Sequence, residues 1–216
     1  MQKAIQPLLY GLLLSLWIAP YAAHADNTKK SDGNKGTASA QVGRKAPAIE
    51  LSDLSKKGHK LSDYSGKIVV LEWFNPECPF VKFAHSQGPL KDLAKQLAGE
   101  DLVWLAINSS APGRQGHGIE KNQIAKAKFK MNYPILMDES GQTGRSYGAK
   151  TTPHMFIINA KGILVYKGAL DNAPLGTIYG KKHINYIKDA VTALRSNKAI
   201  EQAQTNAYGC SVKYSR

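Results

Sequence analysis

The amino-acid sequence predicts an α/β fold in which helices cover both faces of a central mixed sheet. Residues 68–74 and 102–107 are mostly apolar runs, as strands buried on both faces require. A helical pattern follows each of these runs. Residues 155–158 and 163–166 form two further strand candidates, and a tight-turn sequence joins them. Strands that alternate with helices in this way are typical of α/β domains.

The same signals predict the other elements of a domain that spans residues 43–196. These elements are a short strand at 48–51 with a hairpin partner at 58–61, a helix at 79–98 bent at Gly88-Pro89, a basic helix at 119–131, a short strand at 135–137 and a last helix at 180–195. A polar tail, residues 197–216, follows the last helix and carries Cys210.

The first 25 residues have the pattern of a secretory signal peptide. Lys3 supplies the positive start, residues 8–19 form the apolar stretch, and Ala23-His24-Ala25 offers a cleavage site. A short membrane anchor is the alternative interpretation. No apolar run reaches the roughly 18 residues that span a bilayer, so we expect an exported protein of the periplasm or cell envelope that is not stably inserted in the membrane. The polar segment 26–42 is expected to be a flexible linker.

Composition bounds the functional class. Hydrophobic residues make up 43% and charged residues 21% of the 216-residue chain, which is a globular composition. The formal net charge is +13, but the basic residues are spread over solvated faces and an exported protein meets little nucleic acid, so we expect no nucleic-acid partner. Two cysteines exclude both a disulfide-dense fold and a four-cysteine zinc site. No flavin, nicotinamide or haem motif is found, so no cofactor is predicted.

The first informative motif is residues 73–80, with the sequence WFNPECPF. It brings Cys78 to the point where a central strand turns into a helix. Backbone N–H groups at a helix N-terminus stabilise an anion, so a thiol there loses its proton more easily. Pro79 suits the first helical turn, where its missing N–H needs no partner. We therefore predict a reactive thiolate at Cys78, and the alternative is a buried cysteine that acts only as a small hydrophobic residue.

The second motif is Thr151-Thr152-Pro153-His154, directly before a predicted strand. A proline there is tolerated at the start of the strand. A cis Thr152–Pro153 peptide bond would explain its position, and such bonds are rare and usually kept for a purpose. The alternative is an ordinary trans proline that begins the strand.

Taken in order, these features resemble the thioredoxin-like fold. Residues 43–51 (GRKAPAIEL) and 60–67 (KLSDYSGK) are also similar to the redoxin branch, the alkyl hydroperoxide reductase/thiol-specific antioxidant (AhpC/TSA) family. The resemblance covers residues 43–195. It implies an oxidoreductase that acts through Cys78, with Pro153 and Thr152 shaping a substrate groove and with Asn75 and Pro79 in the environment of the thiolate.

The sequence departs from both relevant active-site patterns. Thioredoxins carry a second cysteine three residues after the first, and here that position is Val81, so dithiol exchange within the motif is impossible. Peroxiredoxins carry a threonine three residues before their reactive cysteine, and here that position is Asn75. The Cys78-Pro79 pair does resemble theirs. An Asn side chain could donate a hydrogen bond to a peroxide, though with a different geometry.

Cys210 is the other cysteine of the chain. The tail that carries it could extend about 46 Å, so contact with Cys78 is sterically easy. A cysteine that is oxidised, or joined to a substrate thiol, needs a second thiol to release it. We predict that Cys210 is this resolving or partner thiol. A permanent Cys78–Cys210 disulfide that secures the tail is the alternative.

His85 and His154 raise a metal alternative, because a thiolate and two imidazoles could hold copper or zinc. Nothing in the sequence shows that these side chains converge on Cys78, so no metal site is predicted.

The sequence favours an exported thiol-dependent oxidoreductase that performs thiol–disulfide exchange through Cys78 and Cys210. Its expected partners are protein thiols and disulfides, with an unidentified electron donor. The alternatives are a peroxiredoxin-like hydroperoxide reductase with antioxidant activity, acting on small hydroperoxides, and a non-catalytic module with a structural disulfide.

Overall fold

A computed structural model describes residues 39–216 of the chain. The predicted signal peptide and nearly all of the predicted linker lie outside the described residues. Ala40, near the end of the predicted linker, is buried, and its N–H donates to Ser146 O at 2.9 Å. Among the described residues, no helix is long and apolar enough to cross a membrane.

The described chain contains one seven-stranded mixed sheet and one two-stranded sheet. In chain order the strands are β1 (Glu50–Asp53), β2 (Gly58–Lys60), β3 (Ile68–Trp73), β4 (Leu102–Asn108), β5 (Ile135–Met137), β6 (Thr151–Thr152), β7 (His154–Ile158), β8 (Leu164–Gly168) and β9 (Cys210–Ser211). The large sheet has the order β2-β1-β5-β4-β3-β7-β8, and β6 pairs separately with β9.

Strands β3, β4 and β5 are parallel, and the remaining strands of the large sheet are antiparallel to their neighbours. All six residues of β3 are buried, because the strand lies in the middle of the sheet between β4 and β7. The predicted α/β class, with a central mixed sheet, is confirmed. Cys78 therefore follows a strand that is buried along its whole length.

Five α-helices occur in the described residues, and together they cover both faces of the sheet; two short 3-10 helices lie at Leu61–Tyr64 and Pro174–Gly176. The α-helices are α1 (Pro79–Ser86), α2 (Leu90–Gln96), α3 (Ile119–Lys128), α4 (Gln142–Tyr147) and α5 (Tyr186–Arg195). Residues of α1, α2, α3 and α5 pack in one apolar cluster with Val70 and Phe74. Tyr147 of α4 packs in a second cluster, with Leu71 and Trp73, on the opposite side of β3.

Several predicted boundaries are corrected. The predicted helix at 79–98 is two helices, because the chain leaves the helix at Gln87 and α2 starts only after Pro89. The predicted helix at 180–195 begins at Tyr186, where Asn185 caps it by accepting a hydrogen bond from Lys188 N–H at 3.0 Å. The short strand predicted at 48–51 lies two residues later because its pairing with β2 and β5 sets its register.

The polar tail is the main difference from the sequence-based expectation. It runs back along the domain and forms β9, which pairs with β6 through Cys210↔Thr152 and Ser211↔Thr151. Nearer its start, the tail also runs beside β8. There Lys167 N–H donates to Ala203 O at 3.1 Å, and Thr205 N–H donates to Lys167 O at 3.2 Å. A tail of low hydrophobicity is thus held mainly by hydrogen bonds to the backbone of the domain.

Candidate functional site

Cys78 lies at the start of α1, in the turn that follows β3. It is the N-cap of this helix, with extended backbone angles, and Pro79 occupies the first helical position. Its N–H donates to Asn75 O at 3.1 Å, which closes the turn. The exposed fraction of Cys78 is 0%, so its thiol is sealed from solvent in this state.

The other side of the turn is fixed by a glycine-rich loop, residues 108–118. The Asn75 side chain accepts a hydrogen bond from Glu77 N–H at 2.9 Å and donates to Gln115 O at 3.3 Å. Gly116 is held against this amide, because a Cβ on Gly116 would lie 2.2 Å from Asn75 Oδ1. Both polar ends of the Asn75 side chain are therefore used: the oxygen closes the turn, and the NH2 group joins the turn to the loop.

Thr152 and Pro153 lie beside the thiol. The Thr152–Pro153 peptide bond is cis, as the sequence analysis predicts. In its thiol form Cys78 donates a hydrogen bond to Thr152 O at 3.0 Å. The Thr152 hydroxyl donates to Cys210 O at 3.4 Å, and its position beside Cys78 helps to lower the pKa of that thiol.

Cys210 is brought directly to Cys78 by the strand β9. Its backbone pairs with Thr152, whose carbonyl is the partner of the Cys78 thiol, so the two cysteines are close enough for each to shift the pKa of the other. Both cysteines are free, and Cys210 is only partly buried whereas Cys78 is fully buried. Cys78, Cys210, Thr152 and Pro153 thus form one cluster, although Cys210 is 132 positions away from Cys78 in the printed sequence.

The contact between the thiols shifts their pKa values in opposite directions. Burial disfavours the Cys78 anion, but hydrogen bonds from the Cys210 thiol and the Thr152 hydroxyl outweigh it and lower the pKa of Cys78. The backbone N–H groups of Val81 and Cys210 lower this pKa further. Burial and the neighbouring Cys78 anion raise the pKa of Cys210 to about 11. Of the two thiols, Cys78 is therefore the one that ionises at the lower pH.

A glycine allows the tail to approach this closely. Gly209 has a φ of +125°, and a Cβ at this position would lie 2.1 Å from Thr152 O. Only glycine accommodates both this backbone conformation and this contact. The residue before Cys210 is therefore constrained by the packing of the tail on Thr152.

Upstream of Cys210, the tail is anchored by Tyr208. Its hydroxyl donates to the buried carboxylate of Asp171, and its ring centroid lies 5.9 Å from that of Phe80 on α1. Asp171 also accepts a hydrogen bond from His183 Nε2 at 2.9 Å.

Downstream of Cys210, two further residues hold the tail. Lys213 O accepts a hydrogen bond from Ala111 N–H at 2.9 Å, and Tyr214 OH donates to Ala149 O at 2.9 Å. The Arg145 guanidinium stacks 4.7 Å from the centre of the Tyr214 ring. Neither set of anchors was identified from the sequence, because a tyrosine in a polar tail carries no local signal of its distant partner.

The two histidines considered for a metal site have other contacts. His85 Nε2 lies 2.7 Å from Oε1 of Glu72, which is fully buried and also accepts from Trp104 and Tyr133. Burial lowers the pKa of His154 to about 4, and its Nδ1 accepts from Lys150 N–H at 3.2 Å. Between residues 39 and 216, no group of three or more His, Cys, Asp or Glu side chains is arranged to hold a metal ion.

Known proteins with similar sequences are redox proteins. The chain is 30% identical over 122 residues to the thiol-disulfide oxidoreductase ResA of Geobacillus thermodenitrificans; the match covers 56% of this chain and 65% of that protein. The chain thus spans slightly less than two thirds of the length of this relative.

Two solved structures are similar in shape. A hypothetical protein of Sinorhizobium meliloti superposes with a TM-score of 0.73 at 26% identity, over 82% of this chain and 97% of that one. A candidate thioredoxin of Neisseria meningitidis superposes with a TM-score of 0.53 at 20% identity, over 71% of this chain and 92% of that one. The second similarity supports the thioredoxin-like fold alone.

The family model of the AhpC/TSA family matches residues 42–167, which include β1 to β7, the β3–α1 turn with Cys78, and the cis proline. This match spans more than half of the chain, and it excludes the tail with Cys210. The protein has a thioredoxin-like fold and belongs to the AhpC/TSA family.

Proposed function

We propose that this protein is a thiol-dependent oxidoreductase that performs thiol–disulfide exchange through Cys78, with Cys210 as the partner thiol. One observation carries the proposal: Cys78 donates to Thr152 O at 3.0 Å, and the pairing of β6 with β9 sets Cys210 directly opposite the same Thr152. The pKa values of the two thiols shift in opposite directions, with that of Cys78 lowered and that of Cys210 raised to about 11. A thiolate is the nucleophile in disulfide exchange. A protonated thiol beside it favours the anion by donating a hydrogen bond.

The reaction proceeds in two displacements. The Cys78 thiolate attacks one sulfur of a substrate disulfide, so a mixed disulfide forms and the other substrate sulfur leaves as a thiolate that takes up a proton. Cys210 then loses its proton and attacks Cys78 Sγ, which forms the Cys78–Cys210 disulfide and releases the second substrate sulfur. The substrate gains two electrons and the protein loses them. The reverse sequence oxidises a substrate dithiol.

The surrounding residues have supporting roles in this proposal. The Thr152 side chain helps to lower the pKa of Cys78, and the Thr152 backbone, in β6, pairs with Cys210 in β9. Pro153 shapes the groove beside them. Pro79 begins the helix at whose N-terminus the thiolate forms. Asn75 acts indirectly, by holding the turn against the loop at 108–118.

We also propose that the protein acts outside the cytosol, with Asp26 as the first residue after export. The proposed reaction forms a Cys78–Cys210 disulfide, and disulfides form and persist in oxidising compartments outside the cytosol. Mass spectrometry of the protein from its native cell envelope tests this directly. An N-terminus at Asp26 is expected, and a retained Met1 would contradict export.

A trapping experiment tests the proposed reaction. The reduced variant Cys210→Ser is mixed with oxidised glutathione, and the products are mapped by mass spectrometry after acid quenching. Glutathione is expected to remain attached to Cys78, because no second thiol can displace it, whereas the wild type should return free glutathione and the Cys78–Cys210 disulfide. An unmodified Cys78 in the variant would contradict the proposal.

Peroxide reduction is the second reaction that the family would allow. The amide of Asn75, which stands where peroxiredoxins have a threonine, already donates to Gln115 O. Stabilising the charge that develops on a peroxide requires donors directed at both oxygens. We therefore expect hydrogen peroxide to oxidise Cys78 at about the rate of a free thiolate. Rapid, saturable peroxide consumption by the wild type would favour a peroxidase instead.

A further inference from the structure

The loop between β8 and α5 carries a concentration of exposed apolar side chains. Leu175 is 49% exposed, Ile178 50% and Tyr179 67%. We call these three residues the apolar patch. Among the described residues, the other large apolar side chains with comparable exposure are Ile119 and Ile124, both on α3. Clustered exposure of this kind marks an interaction site more often than scattered single residues do.

The apolar patch is presented by a fixed loop. The Asn172 side chain donates to Tyr179 O at 2.7 Å and to Lys182 O at 2.9 Å, and it accepts from Ile184 N–H at 2.8 Å. The Asn172 backbone adds hydrogen bonds to Tyr179 and Ile184. The hydrogen bonds of Asn172 therefore hold the backbone of the loop in a conformation that leaves three apolar side chains exposed to solvent.

The loop lies against the helix that carries Cys78. Gly176 sits on the Phe83 ring of α1, since a Cβ at Gly176 would lie 3.0 Å from Phe83 Cζ. Asp171, at the start of the loop, accepts the hydrogen bond of Tyr208, two residues before Cys210. A partner bound to this loop would thus lie beside the helix of one cysteine and near the tail segment that carries the other.

Two lysines follow the apolar patch in the same loop, and a third, Lys82, directly precedes Phe83 of α1, on which Gly176 sits. Lys82, Lys181 and Lys182 are exposed, and none of them forms an ion pair in the part of the chain that the structure describes. The carboxylate of Asp171 is buried, and that of Glu77 pairs with Lys121. An apolar centre with a basic rim complements an apolar surface with an acidic rim.

We propose that the apolar patch and its lysines form the docking surface for an acidic redox protein that exchanges electrons with the Cys78–Cys210 pair. This inference rests on the proposed function and adds the partner's chemistry. In one direction, the partner's dithiol becomes a disulfide, and the Cys78–Cys210 disulfide takes up the two electrons and two protons to give two thiols. Docking beside Asp171 brings the partner to the anchor that holds the tail over Cys78.

The test compares a small and a large reductant on the oxidised full-length protein. The probes are dithiothreitol and a reduced thioredoxin with an acidic surface. The variant Leu175→Ser/Tyr179→Ser removes two members of the apolar patch, and Lys181→Glu/Lys182→Glu reverses the rim charge. Ile124→Ser, which changes an exposed residue on α3, is the matched control.

We expect both patch variants to lower the rate constant for thioredoxin by about tenfold, the effect of losing about 1.4 kcal/mol of docking free energy. Charge reversal should also abolish the salt dependence of this rate. The rate with dithiothreitol, and both rates of Ile124→Ser, should stay within about twofold of wild type.

Four results would overturn the docking surface. The first is an unchanged thioredoxin rate in both patch variants, and the second is an equal loss of rate with dithiothreitol in these variants. The third is no reaction of thioredoxin with the wild type. The fourth is that the patch variants lose binding to phosphatidylglycerol vesicles while their thioredoxin rate is unchanged. The last result would identify a membrane-binding surface. Failure of the proposed function is distinct, because then no Cys78–Cys210 disulfide would form for dithiothreitol to reduce.

Discussion

The two cysteines lie in regions that are built in opposite ways. Cys78 is part of the core, at the end of a fully buried strand and under a helix, and it is reached by donors from three parts of the chain. Cys210 lies on a two-residue strand near the C-terminus, held by one anchor upstream and a few hydrogen bonds downstream. The position of Cys78 is thus fixed by the core of the fold, whereas Cys210 lies on the tail, which fewer contacts keep in place.

This difference accounts for the opposite pKa shifts of the two neighbouring thiols. Two of the donors around Cys78, the Thr152 hydroxyl and the Val81 N–H, belong to the family domain, whereas the tail supplies the others. Cys210 contributes one of those donors and acquires a high pKa in return. Cys78 is fully buried with the tail lying beside it, so in the proposed reaction we expect the tail to move before a protein substrate reaches Cys78.

The largest effect is expected from Gly209→Ala, which should break the contact between the two regions. The new Cβ would lie 2.1 Å from Thr152 O at a φ of +125°, so the tail cannot stay docked as it is. A strained site of this kind costs about 1–3 kcal/mol. The equilibrium between the dithiol and the Cys78–Cys210 disulfide, measured in glutathione buffers, should shift toward the dithiol by about tenfold or more.

Gly162→Ala is the matched control for this variant. Gly162 also has a positive φ of +76°, but a Cβ there meets nothing within 4 Å, and the residue lies in the turn between β7 and β8. It should lower stability without changing the redox equilibrium. Equal redox shifts in the two variants would show that backbone strain alone, and not the position of the tail, controls the cysteine pair.

A smaller effect is expected from Tyr208→Phe, which weakens one of the contacts that hold the tail on the domain. The variant loses the hydrogen bond to Asp171 but keeps the ring on Phe80. Iodoacetamide should alkylate Cys78 about tenfold faster, because a hydrogen bond to a carboxylate contributes about 1.5–3 kcal/mol to the closed state. The rate is read by mass mapping of Cys78.

Tyr147→Phe provides the control, since this buried tyrosine donates to Pro47 O on the opposite side of the sheet. It should destabilise the fold modestly and leave the alkylation of Cys78 unchanged. If Tyr208→Phe behaves like Tyr147→Phe, the Tyr208 anchor does not control access to Cys78.

The smallest effect concerns pH. The ultraviolet absorbance of the thiolate in the reduced wild type should rise in two steps, the first below the ordinary thiol pKa of about 8.5 and the second at a pKa of about 11. In Cys210→Ala the anion loses a donor, which makes ionisation harder, so the remaining step should move to higher pH. A step that stays in place would mean that Cys210 does not stabilise the Cys78 anion.

The sequence predicts the Cys78 region better than the Cys210 region, for a physical reason. A buried strand, a turn, Cys78 and Pro79 are adjacent in the chain, so their local pattern defines the geometry of the helix start. The cis Thr152–Pro153 bond is likewise indicated by a proline directly before a strand. In both cases short-range sterics decide the structure.

The path of the tail depends instead on contacts between residues far apart in sequence. The sequence analysis identifies Cys210 as a partner for Cys78 because it is the other cysteine, and it has no means of locating β9 or the Tyr208–Asp171 contact. Helix α4 is missed because six residues between two left-handed glycines, Gly141 and Gly148, are too short to show helical periodicity. Tertiary packing decides both features.

The central claim, that Cys78 and Cys210 form a redox-active pair, is tested most directly by the reduction potential of their disulfide. The wild type is equilibrated in a series of thiol–disulfide buffers, quenched with acid and alkylated, and the free thiols are counted by mass spectrometry. The account predicts a single two-electron transition above about −300 mV, in the range of catalytic disulfides. A disulfide that stays intact below about −300 mV would identify a structural bridge and contradict the account.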